Sequence, residues 1–99
     1  MRLSSLQQYI LLKMSEKGTR MDRKFFRSFY ETQEKKPNIK YQEHIITQSL
    51  ERLIDRGLIT GFGKRTTEKW FITHVGLAAK GRDAVQEIHN RRQKKLPLA

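Results

Sequence analysis

Leu3, Leu6, Ile10 and Met14 recur at helical spacing and predict a first helix with one apolar face. Ser5 followed by Gln8 reads as a capping box at its start, and Gly18 as its stop. A second helix is expected from an Asp22 cap to about Thr32, with Met21 set to staple onto Phe26 and Phe25, Phe29 and Tyr30 adding core-bound apolar bulk. The run Gln33-Glu34-Lys35-Lys36-Pro37-Asn38 then breaks the pattern, because Pro37 lacks a backbone donor and restrains Lys36 away from helix.

A third helix is predicted from about Tyr41 to Arg56. At about 100° per residue, Ile46, Leu50, Leu53 and Ile54 fall on one face. Tyr41, His44, Gln48, Arg52 and Asp55 fall opposite, with Ile45 and Thr47 at the flanks, so the outward face is rich in hydrogen-bonding groups. After Gly57, two β-prone runs, Leu58 to Phe62 and Lys69 to Thr73, enclose the polar stretch Gly63 to Glu68 and predict a hairpin with Lys64, Arg65 and Lys69 at its tip. Thr73 is placed as the cap of a last helix with Leu77, Ala78, Ala84, Val85 and Ile88 as its stripe. That helix is expected to cover the core or to pair with a second copy, a homodimer being favoured. The expected fold class is mainly α with a small β-hairpin (α+β): a winged helix-turn-helix with a three-helix core, a wing and a C-terminal helix.

Composition narrows the partners. A chain of 99 residues with 36% hydrophobic content fills one small core, so a single domain over residues 1–88 is expected, followed by a basic tail over 89–99. Lys and Arg number 21 against 10 Asp and Glu, a formal charge of +11, which favours a polyanion over an acidic small molecule. Double-stranded DNA is the expected partner. No run approaches the roughly 20 apolar residues of a membrane span, and no signal sequence is discernible, so a cytoplasmic, nucleoid-associated protein is expected. With no Cys, and with His44, His74 and His89 lacking metal-ligand spacing, no metal or other cofactor is expected and no small-molecule ligand is identifiable. Scattered Asp and Glu and the lack of a nucleophile constellation argue against an enzyme. His44 reads as a surface helix residue, and Trp70 as a core anchor on a strand.

The segment Ile46-Thr47-Gln48-Ser49-Leu50-Glu51-Arg52-Leu53-Ile54-Asp55-Arg56-Gly57-Leu58-Ile59 resembles the recognition-helix-to-wing signature of winged helix-turn-helix transcription regulators of the MarR-like or PadR-like groups. Thr47 and Gln48 occupy the positions at which those groups often carry Ser and Arg, so Gln48 is a departure from the pattern. Ile72-Thr73-His74-Val75-Gly76 resembles their junction after the wing. The resemblance implies a sequence-specific regulator of the repressor kind, with the third helix in the major groove and the wing on the backbone. The residues then expected at DNA are Lys40, Tyr41, His44, Thr47, Gln48 and Arg52 on the helix and Lys64, Arg65 and Lys69 on the wing. Three cationic groups, Arg20/Arg23/Lys24/Arg27, Lys35/Lys36/Lys40 and Lys64/Arg65/Lys69, are expected to border that surface. The rival readings are a sequence-tolerant chromatin or RNA-binding protein, in which phosphate contacts dominate, and a protein-interaction module docking through the last helix or through Tyr41 and Ile45.

Overall fold

The computed structural model describes residues 2–18 and 20–94, the last two by their backbone. Helix α1 spans Ser5–Lys17, strand β1 Met21–Asp22, a 3-10 helix Arg23–Tyr30, helix α2 Ile39–Asp55, strand β2 Ile59–Arg65, strand β3 Trp70–Leu77 and helix α3 Ala79–Lys94. The three strands form one antiparallel sheet in the order β1-β3-β2. Among the described residues no helix is long and apolar enough to cross a membrane.

The capping box lies one residue earlier than expected. Ser4, not Ser5, accepts from the Gln7 backbone N–H, and the Gln7 side chain accepts from the Ser4 N–H. Gln7 is buried there, so the box also satisfies a polar side chain beside the core. Leu6, Ile10, Leu11 and Met14 enter the core from α1, which ends at Gly18.

The second helix is a tighter helix than expected. Asp22 caps it as predicted, accepting from Lys24 N at 2.9 Å, but the turns are 3-10 and stop at Tyr30. At three residues per turn, Arg23, Phe26 and Phe29 share one row, which turns a charged side chain inward together with the aromatic rings. Phe26 and Tyr30 join the core, whereas Phe25, expected inside, is 53% exposed. Phe29 packs edge-on against Tyr9 and Tyr30, with centroids 5.3 and 5.2 Å apart. Burial pushes the Tyr30 phenol above its ordinary pKa.

Helix α2 starts two residues earlier than the pattern suggests, because Asn38 accepts from Tyr41 N at 2.9 Å and acts as the cap. Gln42 turns inward and donates to the Pro37 carbonyl at 2.7 Å, fastening the preceding loop to the helix. Ile46, Leu50 and Leu53 are fully buried, and Ile54 is half-buried against the sheet. The helix ends in a Schellman arrangement: Leu58 N donates to Leu53 O and Gly57 N to Ile54 O. Gly57 takes φ 76, which a side chain would disfavour, and Leu58 then packs into the same core as Leu53.

The hairpin is longer and its turn shorter than the sequence pattern implies. Ladder pairing runs from Ile59 opposite Leu77 to Arg65 opposite Trp70, with a bulge between Phe62 and Gly63. Lys64 and Arg65 therefore lie on a strand, and the tip is Thr66-Thr67-Glu68-Lys69, closed by the Thr66 hydroxyl, which accepts from Lys69 N and donates to Lys69 O. Thr73 is not a helix cap. It sits in the middle of β3 as the residue the ladder skips, because pairing by Ile72 and then His74 to Leu77 carries the strand past it until Ala78 N bonds Leu58 O.

Helix α3 packs along α1 through Val85 and Ile88. Gly81 permits its approach, since a Cβ there would lie 2.1 Å from the Leu58 carbonyl oxygen. The helix continues through Lys94, with i,i+4 pairs Gln86–Asn90 and Glu87–Arg91 on its solvent side. The last part of the expected basic tail, 95–99, lies outside the described residues.

Candidate nucleic-acid interface

Strand β1 is only two residues long, and it pairs with His74 and Val75 alone. The β1-side edge of β3 from Trp70 to Thr73 therefore lacks a strand neighbour among the described residues. Arg23, the residue that follows β1, takes over at that point: Nη1 donates to the Ile72 carbonyl at 3.3 Å. Its Nη2 donates to the Glu43 carbonyl at 3.1 Å, to the Glu43 carboxylate at 3.2 Å and to Thr47 Oγ1 at 2.7 Å. One guanidinium thus ties the 3-10 helix, α2 and the wing together, and its side chain is only 17% exposed. Arg27 closes on the other oxygen of Glu43. The carboxylate is held from two sides, so its charge is compensated locally.

Above this clamp, α2, the start of the 3-10 helix and the last residue of the hairpin turn border an open groove lined by Arg23, Lys40, Glu43, His44, Thr47, Gln48, Glu51 and Lys69. Five of the nine residues expected at DNA, Lys40, His44, Thr47, Gln48 and Lys69, meet in it. Tyr41 and Arg52 lie on the exposed face of α2 outside the groove lining, the Tyr41 ring tilted toward His44 with centroids 6.2 Å apart. Thr47 is half-buried, and its oxygen already accepts from Arg23. Its hydroxyl proton and its methyl group are what remain for another partner.

The wing cations divide between the two faces of the hairpin. Arg65 stacks over the Trp70 ring at 4.2 Å, on the face that packs toward Ile54 and Gly61. Lys64 stands opposite Phe71, and Lys69 Nζ lies 5.0 Å from the Phe71 centroid. Trp70 is packed against the core, so the expectation of a strand-borne anchor holds.

The cationic groups converge less than their order along the chain suggests. Arg23 and Arg27 are engaged by Glu43, and Arg20 stacks at 3.8 Å over Phe62, lining a different cavity with Met14, Leu77 and Arg82. Glu43 and Glu51, absent from the sequence-derived site, bring carboxylates into the groove. Glu43 lies on α2 between the reading and buried faces, and only the position of the 3-10 helix reveals why it is there.

No protein-family model matches the chain, and no curated protein matches it in sequence. Solved structures do match in fold. A double mutant of ZitR from Lactococcus lactis superimposes with a TM-score of 0.63 at 18% identity, over 95% of this chain and 56% of that one. The Adhesin competence repressor AdcR from Streptococcus pyogenes gives a TM-score of 0.59 at 15% identity, over 97% of this chain and 69% of that one. The chain therefore spans a little over half the length of the ZitR structure. Together with the helix order, the Schellman turn into the sheet and the hairpin, these matches establish the winged-helix fold, mainly helical with a small three-stranded antiparallel sheet.

Proposed function

We propose that this chain is a sequence-specific double-stranded DNA-binding module of a transcription repressor, with α2 in the major groove and the β2–β3 wing along the adjoining backbone. The observation that carries the reading is the groove in which Lys40, His44, Thr47 and Gln48 of α2 share one concave surface with Lys69 of the wing. Its fold-level support is the likeness to a protein named as a repressor. Gln48 carries the base-reading role, since its amide can pair with adenine in two directions, and Arg52 and His44 supply further donors toward the groove floor. Lys40, Lys64 and Lys69 contact phosphates, with Tyr41 at the backbone near the helix start, while Arg65 stays over Trp70 on the opposite face of the hairpin. Two copies related by a two-fold axis would read half-sites about one DNA turn apart.

Selection of bound duplexes from a random pool at near-physiological salt, with structured RNA as competitor, is expected to converge on one motif. Gln48→Ala should then cost about 1–3 kcal/mol at a single base position, whereas Lys64→Ala should weaken all duplexes alike and flatten the salt dependence by about one unit of slope. Retention without a motif would identify a sequence-tolerant binder, and preference for the RNA pool would remove the DNA reading.

A further inference from the structure

Charge alone passes over one side chain on the wing. Phe71 pairs with Lys64 across the ladder and remains 48% exposed, while its neighbour Trp70 turns to the opposite face. Lys69 reaches back over the Phe71 ring, 5.0 Å from its centroid, and the same lysine lines the groove beside α2. One ammonium group thus lies over the ring at the lip of the proposed reading groove, and a second lysine, Lys64, is its cross-strand partner. A single exposed apolar residue is ordinary on any protein surface. An exposed apolar disc with one lysine over it and another on the paired strand position is a more particular surface, and it complements a chain that alternates anions with apolar faces. A phosphodiester strand has that alternation, its phosphates separated by deoxyribose rings whose C–H faces are apolar.

We infer that Phe71 packs against a deoxyribose of the strand whose flanking phosphates Lys64 and Lys69 contact, an inference that rests on the DNA-binding reading above. The ring supplies a non-ionic part of the affinity, which releases no counterions and so persists as salt rises. The same packing disfavours RNA, because a 2′-hydroxyl places a polar group at the sugar edge.

The test is a fluorescence-anisotropy titration of the whole chain with a DNA duplex across a series of salt concentrations, for the wild type, Phe71→Ala, Phe71→Leu and Lys69→Ala. Phe71→Ala is expected to weaken binding about fivefold at every salt concentration, the factor for re-exposing roughly half of a buried phenyl ring, with the log–log slope unchanged. Phe71→Leu should recover most of that loss, while Lys69→Ala should lower the slope by about one. Thermal melts of both Phe71 variants should overlay the wild type, as the ring is exposed. Wild-type affinity in Phe71→Ala, a changed slope, or a lowered melting temperature would each overturn the inference while leaving DNA binding intact. Failure of the wild type to bind any duplex at low salt would overturn both readings together.

Discussion

Arg23→Ala is expected to destabilise the domain by about 2–3 kcal/mol, the range for removing a partly buried cation bonded to a carboxylate and to backbone. For a domain of this size the melting temperature should fall by about 10–20 °C. The substitution removes donors to the Ile72 carbonyl, the Glu43 carbonyl and the Thr47 hydroxyl, and leaves Glu43 with Arg27 as its remaining ion-pair partner. Part of the loss is offset, because Arg23 Nε is buried with no hydrogen-bond partner and its desolvation cost disappears with it. Arg23→Met separates the contributions: it keeps the packing of the stem but restores none of the bonds, so it should remain closer to alanine than to the wild type. A urea titration of the three proteins gives the comparison, and a melting temperature within about 2 °C of the wild type for Arg23→Ala would show that the clamp is not structural. The same variant should bind duplex more weakly at temperatures where it is still folded, since the guanidinium sets the position of β3 against α2.

Gly63→Ala is expected to disable the wing while sparing the helical core. Gly63 sits on β2 opposite the bulge that skips Thr73 of β3, at φ 151, and a Cβ there would lie 1.9 Å from the Phe71 carbonyl oxygen and 2.9 Å from its carbon. These are backbone atoms of the paired strand, so no rotamer change relieves the contact and the ladder itself must shift. The strain is about 1–3 kcal/mol before any ladder bond is lost. Lys64, Phe71 and Lys69 move with the ladder, and duplex affinity should fall about tenfold or more, equivalent to at least about 1.4 kcal/mol. Far-UV circular dichroism should still report the helices, and anisotropy should report the loss. Unchanged affinity in a folded Gly63→Ala protein would detach the wing from binding.

These two glycine and arginine positions differ in how far the sequence exposes them. Helix α2 was legible almost to the residue, because Ile46, Leu50 and Leu53 obey the helical period and Asp55-Arg56-Gly57-Leu58 carries the chemistry of a helix stop. The hairpin was legible as two β-prone runs, but its register was not. Register depends on the Phe62/Gly63 bulge and on how β3 fits between β1 and β2, which are non-local pairings. For the same reason Thr73 reads locally as a cap yet lies within β3. Strand β1, two residues long, has no pattern of its own to detect.

What the sequence by itself determined is the order of helices, the wing, the polar face of α2 and the cationic character, since periodicity, capping and composition act within a few residues of the chain. The tertiary structure decided which of those charges are free to meet a partner. Arg23 and Arg27 resemble surface cations in the sequence, but the 3-10 helix carries them onto Glu43, 20 and 16 residues away. Lys64 and Arg65 are adjacent in the chain, yet the two-residue period of a strand sends them to opposite faces, one beside Phe71 and the other onto Trp70. Charge pairing and facing depend on distances across the fold, which no local pattern encodes.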